Sequence, residues 1–159
     1  VPEVEVDAAV HDAFERYDVW RMYADPPYWQ GWIAAWAGKY NLNNKPGDEK
    51  IIEWWTNRRK QMSYALEDFD TAIKTGTISH DGDKNLARHI ANAFREELTM
   101  KDETGKRLWL IRKERPDSPN KIDLAMCAVL SWTARKDAVA LGIDGDNKSI
   151  YESRGALVF

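Results

Sequence analysis

The sequence predicts an α/β fold. Three observations carry that prediction. β-prone stretches alternate with amphipathic helical ones. Prolines and glycines fall where each stretch has to end. The chain has 159 residues, 43% hydrophobic and 31% charged, enough for one ordinary buried core and too apolar for a disordered tail.

Taken in order, Val6, Val10 and Phe14 recur every four residues, so residues 6–14 read as a helix with one apolar side. Residues 18–23 (DVWRMY) are β-prone and stop at Asp25-Pro26-Pro27, because proline cannot donate to a sheet ladder. Trp29, Trp32, Ile33 and Trp36 mark a helix to residue 40, and residues 41–48 form a loop. Residues 50–56 (KIIEWWT) are a second strand, followed by a long helix over 58–74 that Gly76 breaks. Residues 77–79 are short and extended, and His80-Asp81-Gly82-Asp83 is a turn that caps a helix over 84–94. Residues 98–101 and 108–112 make a hairpin, and 116–120 a loop. The last helix runs over 121–141 and Gly142 ends it, leaving residues 144–159 as a tail. Roughly four strands are few for a complete sheet. With Val1 in place of a methionine, the expectation is a fragment that lacks its leading strands.

Composition excludes several classes. No apolar run is long enough to span a bilayer, and the first residues do not read as a secretory signal. A net charge of −3 is unlike a basic nucleic-acid coat protein but does not argue against a nuclease, whose metal-binding carboxylates are themselves negative. Cys127 is the single cysteine, so an internal disulfide and a thiolate zinc site are excluded; within the apolar run 124–130 it reads as a buried thiol in a reducing cytoplasm. Eight tryptophans are unusual. Core packing is the expected use of Trp29, Trp32 and Trp36, with base stacking the alternative.

Two acids stand out by position. Asp25 directly follows a strand, where ligand sites gather in open α/β sheets. Asp123 lies in the first turn of the last helix, favourably placed against the helix dipole. Two carboxylates from distant parts of a chain are what two-metal phosphodiester hydrolysis needs, and hard Mg²⁺ or Mn²⁺ prefers such oxygen ligands. Both positions also suit plain structural roles, a turn former and a helix-start acid. Asp81 in the His80–Asp83 turn is a third candidate ligand, although a turn with an N-cap explains it as well. His89 and Asn92 read as the polar face of a helix. Arg58, Arg59 and Lys60 either meet phosphates or form a solvated helix start. There is no phosphate-binding glycine loop and no Gly-x-Ser-x-Gly elbow.

The segment Met22-Tyr23-Ala24-Asp25-Pro26-Pro27-Tyr28-Trp29, with Trp32 and Trp36, resembles that around the second catalytic acid of the large terminase subunits of tailed bacteriophages, those of actinobacterial phages in particular. Glu53-Trp54-Trp55-Thr56-Asn57 resembles their following strand. His80-Asp81-Gly82-Asp83 with Ala87, His89 and Asn92 resembles their next helix. Lys113, then Lys121-Ile122-Asp123 and Ala125, resembles the segment of the third catalytic acid, and Tyr151-Glu152-Ser153-Arg154-Gly155 their common ending. The likeness runs from about Asp7 to the end of the chain; each piece alone is weak, and their order together is specific.

The resemblance implies a partial nuclease domain over residues 1–143. Its fold would be ribonuclease H-like, a mixed sheet flanked by helices and lacking its first strands. It implies Asp25 and Asp123 as catalytic metal ligands for Mg or Mn, and Arg58, Arg59, Lys60 and Lys113 as weaker DNA contacts. Double-stranded DNA would be the substrate. An ATPase domain in the parent protein, the small terminase subunit and the portal would be partners, with no membrane, in the cytoplasm of the infected bacterial host. The family's first catalytic aspartate would precede the segment matching residues 6–14, and Asp7 and Asp12 replace it poorly. This chain is therefore expected to cut DNA weakly or not at all, and to expose a sheet edge that favours self-association. Two alternatives are a non-catalytic terminase fragment that docks to portal or DNA, and another ribonuclease H-like nuclease such as a resolvase.

Overall fold

α1 (Glu3–Arg16) begins with Glu3 and Glu5 and ends on Arg16, charges that match the helix dipole at each end, and Val10 is its buried residue. β1 (Met22–Ala24), α2 (Gln30–Tyr40) and β2 (Ile51–Glu53) follow, with β1 and β2 paired in parallel, Met22 opposite Ile51 and Ala24 opposite Glu53. Parallel strands need a crossover, and α2 provides it. The computed structural model describes residues 2–42 and 45–142. The expected tail at 144–159, including Tyr151–Gly155, lies outside the described residues.

α3 (Arg59–Thr75) is stopped by Gly76, whose φ of 68° is the left-handed cap that glycine adopts without strain. α4 (Lys84–Ala91) is capped by the Asp83 side chain, which accepts from the Leu86 amide at 2.7 Å. β3 (Phe94–Lys101) and β4 (Arg107–Arg112) form an antiparallel hairpin, and α5 (Asp123–Ala140) closes the described fold. The mixed α/β class is as expected. Among the described residues, however, the four strands form two separate pairs, one parallel and one antiparallel, in place of a single mixed sheet.

The two outer edges of the parallel pair differ. Asn41 closes that of β2: its Oδ1 accepts from the Lys50 and Ile51 amides at 2.8 and 2.9 Å, and its Nδ2 donates to the Ile51 carbonyl at 2.7 Å. One side chain thus imitates a neighbouring strand. On β1, the bonds from Met22 N to the Lys50 carbonyl and from Trp54 N to the Ala24 carbonyl show that Met22 and Ala24 face β2. The amide and carbonyl of Tyr23 therefore point away from β2.

Two expectations are corrected. The helix expected over 84–94 ends at Ala91, and Phe94 already pairs with Arg112 in β3. Leu86, Ile90 and Phe94 keep a four-residue spacing that mimics a longer helix. Cys127 is exposed, not buried, because α5 turns Val129 and Leu130 inward and leaves the cysteine on its outer side.

Two apolar clusters hold the domain. One gathers Trp54, Met62, Leu66, Phe69, Trp109 and Val129 from β2's exit, α3, β4 and α5. Buried Ser63 locks two of these elements, its Oγ accepting from the Trp109 amide at 2.9 Å. The other gathers Val10, Ile33, Trp36 and Ile51 between α1, α2 and β2. Trp36 is its centre: it is 4% exposed, its Nε1 donates to Asp7 Oδ1 at 2.7 Å, and Trp29 and Trp32 lie against it with ring centroids 6.4 and 6.3 Å away. Trp32 is half-buried and donates to Glu3 at 2.9 Å. Core packing is thus the role of the indoles at 36, 54 and 109, with Trp29 and Trp32 as the cover. Trp36→Ala should cost about 3–5 kcal/mol, the range for a large buried aromatic, and Trp32→Ala clearly less. Urea melts of the two variants check the order; a larger loss at Trp32 would show that the second cluster is centred elsewhere.

Candidate functional site

Because β1 and β2 run in parallel, their exits lie at the same end of the pair, and the candidate site is built there. Asp25 follows β1 directly. Thr56 follows β2 after Trp54 and Trp55. The two exits are joined by the Asp25 carboxylate: Oδ1 accepts from the Thr56 amide at 3.1 Å and Oδ2 from the Thr56 hydroxyl at 2.5 Å. Asp25 is half-buried and oriented, and each of its oxygens keeps acceptor capacity beyond the bond to Thr56. Pro26, fully buried, fixes the backbone behind it.

The exit of β2 continues into the start of α3. Arg58 is the N-cap residue, Arg59 and Lys60 occupy the first turn, and no acid or side-chain cap balances them. All three are exposed, and none forms an ion pair among the described residues. Lys60 lies 5.9 Å above the Tyr64 ring. With Gln61 and Met100 these side chains line a shallow open surface. Positive side chains at the positive end of a helix dipole repel it, an arrangement that an anion relieves.

Asp123 opens α5 and is exposed. Its turn is held from α4: buried His89 accepts from the Leu124 amide through Nδ1 at 3.0 Å, and Asn92 Nδ2 donates to the Lys121 carbonyl at 3.0 Å. His89 and Asn92 are therefore not a polar outer face but a clamp on the helix start that carries Asp123. The sequence hid this role, since a histidine that caps another helix leaves no spacing signal. One turn further along, partial burial of its sulfur and the Asp123 carboxylate push the Cys127 thiol up, which keeps it protonated.

Asp81 accepts from the Asp83 amide at 3.0 Å and His80 Nδ1 from the Gly82 amide at 3.0 Å, so this segment is an exposed turn leading to the Asp83 cap. Lys113 reaches the carbonyl of buried Ser118 at a long 3.5 Å, towards the loop before α5. Asp7 holds Trp36 and pairs with His11, and Asp12 pairs with Arg16. Among the described residues no three His, Cys, Asp or Glu side chains are grouped closely enough to hold a metal ion, so Asp25, Asp123 and Asp81 are not gathered into one three-ligand site. In kind, the oxygen donors of Asp25 and Asp123 suit a hard divalent cation.

The fold and the site define a mixed α/β protein with an oriented acid at the exit of a parallel strand pair, and its relatives in sequence are bacteriophage proteins. The chain is 35% identical over 141 residues to the Gene 13 protein of Mycobacterium phage D29 and 33% identical over 141 residues to the Gene 13 protein of Mycobacterium phage L5. Each match covers 86% of this chain and 22% or 23% of the relative, so the chain spans between a fifth and a quarter of their length. No family model and no solved structure matches it.

Tyr23, between the sheet and α5, provides a pH test of this end of the fold. Its hydroxyl donates to Asp137 Oδ2 at 2.5 Å. Burial first, then the hydrogen bond to Asp137 and its negative charge, push the phenol up to about 12 from its ordinary 10.0, against a smaller opposite pull from Arg21. A raised folded-state value means that the folded chain holds this proton more tightly. The contribution to stability is complete below pH 10 and is lost as pH rises through about 12. Tyr23→Phe should therefore be less sensitive to alkali than the parent over that window, and should delete one late-ionising phenol from the ultraviolet titration. A Tyr23 that ionises with the other tyrosines would show that the Asp137 bond does not form in solution.

Proposed function

We propose that this chain is part of the metal-dependent endonuclease domain of a phage large terminase subunit, which cuts concatemeric double-stranded viral DNA during packaging in the cytoplasm of the infected host. The observation that carries the reading is the placement of Asp25, an oriented carboxylate at the exit of a parallel strand pair, tied through Thr56 to a segment whose cations form no ion pair among the described residues. The resemblance around Asp25 and Asp123 and the phage origin of the relatives support it. The reading includes a ribonuclease H-like parent sheet, to which the open edge of β1 would admit a further strand.

Asp25 and Asp123 would hold Mg or Mn, which when bound activates a water and stabilises the leaving 3′-oxygen. Thr56 fixes the Asp25 carboxylate before substrate arrives, and His89 and Asn92 do the same for the helix start at Asp123. Arg58, Arg59 and Lys60 attract the phosphate backbone. The ATPase motor, the small subunit and the portal would be partners of the longer parent protein. A second reading, a non-catalytic piece that docks to DNA or portal, is favoured by one observation: no three-ligand group exists among the described residues.

Plasmid cleavage in Mg²⁺ or Mn²⁺ tests the two. The 159-residue chain should cut poorly or not at all. A polypeptide extended to the length of its phage relatives should cut, and Asp25→Asn or Asp123→Asn should abolish the activity. Cleavage by the extended protein with both aspartates replaced would refute their assignment. Absence of cleavage by the extended protein would favour the docking reading.

A further inference from the structure

Residues 26–29 form a closed turn, with the Trp29 amide donating to the Pro26 carbonyl at 2.8 Å. Pro27 stands at its second position, and the third is left-handed. That is the pattern of a type II turn, whose third position calls for glycine or asparagine. Here it holds Tyr28, with φ 69°, the one non-glycine residue with positive φ among the described residues. A side chain in that region is strained. The turn is held at both ends, by fully buried Pro26 at one and by Trp29 against Trp36 at the other.

Among the described residues this tyrosine gives the fold no contact in return. Its side chain is 96% exposed and makes no hydrogen bond or ring contact among the described residues. Glycine would serve the turn better. Strain that the surroundings enforce, on a side chain that packs against nothing among the described residues, points to use by a ligand. The neighbourhood indicates which. Tyr28 lies three residues beyond Asp25, and Asp25 is tied through Thr56 to the segment that carries Arg58, Arg59 and Lys60. The segments that leave the strand pair therefore carry cations with no ion pair among the described residues and an exposed aromatic ring, which match phosphates and base faces respectively.

We propose that Tyr28 is a DNA-contacting residue whose ring stacks on a base that has left the duplex stack next to Asp25. This rests on the reading of the chain as DNA-acting and adds a preference for locally distorted duplex. A fully paired duplex offers no free base face, so the ring discriminates between paired and extruded bases, while the cations do not.

Fluorescence anisotropy in the presence of a chelator, with no cleavage, tests this on two labelled duplexes, one fully paired and one with a single extrahelical base. The parent chain should bind the second more tightly. Tyr28→Gly should melt no lower than the parent and should lose roughly fivefold or more on the extrahelical duplex alone. Tyr28→Trp should retain the preference. Replacing Arg58, Arg59 and Lys60 with glutamine should weaken both duplexes alike and flatten the salt dependence. Parent-like binding of both duplexes by Tyr28→Gly overturns the inference, leaves the DNA reading intact and turns the ring towards a protein partner. Failure of the parent chain to bind either duplex overturns the DNA reading itself. A Tyr28→Gly chain that melts well below the parent overturns the claim that the fold does not use the ring.

Discussion

Parallel pairing of Met22–Ala24 with Ile51–Glu53 sends both strands out at the same end, and the site depends on that geometry. An antiparallel pair would have put Asp25 and Thr56 at opposite ends. The Trp54 amide extends the ladder by one bond to the Ala24 carbonyl, and the Asp25–Thr56 bonds take over where the ladder stops. The carboxylate thus acts as a side-chain continuation of the sheet. A short ladder of three residues a side would fray alone; it holds because the clusters around Trp36 and Trp54 flank it.

The same pair shows on which side the sheet is finished. Asn41 satisfies both backbone groups of Ile51 that face away from β1, so nothing further can pair with β2 at that residue. Among the described residues Tyr23 has no equivalent. Its side chain is engaged with Asp137 of α5, but its amide and carbonyl face outward. An unpaired edge of this kind seeks a strand. The asymmetry puts any further strand beside β1, next to Asp25, where another acid would have to arrive for the two-metal reading to be complete.

Helices were legible in the sequence because their signals are long. The periodicity of Val6, Val10 and Phe14 and the stop at Gly76 put α1 and α3 within a few residues of their observed bounds. Strands of three residues carry too little pattern, so the sequence marks β1 and β2 over longer spans than they occupy and holds no sign of the pairing into two sheets. Asp25 and Asp123 were legible as positions, at a strand exit and a helix start. Their supports were not. Thr56, His89 and Asn92 act across separations of 29 to 35 residues, and no local spacing encodes such contacts. Tyr28 was hidden for another reason: its backbone conformation is one that a reader of sequence assigns to glycine.

A chain of net −3 can still present a locally positive surface. Binding depends on which charges remain unpaired and where, not on the total. Many surface cations of this fold already have acids beside them. Lys50 has Asp18, Lys74 has Asp70, Lys106 has Glu67, Lys136 has Asp68 and Arg16 has Asp12. Arg112 and Arg107 lie near Glu96 and Glu97 on the hairpin. Such pairs are worth little to stability, but their opposite charges largely cancel at a distance, and salt screens what remains over about 8 Å. The start of α3 is different. Arg58, Arg59 and Lys60 have no acid in their turn, and the helix dipole adds to their field. Uncompensated positive charge therefore gathers on the segment that Thr56 ties to the Asp25 carboxylate. In the proposed reading, a phosphate drawn to the cations would come towards Asp25, and a divalent ion would let the carboxylate and the phosphate approach each other.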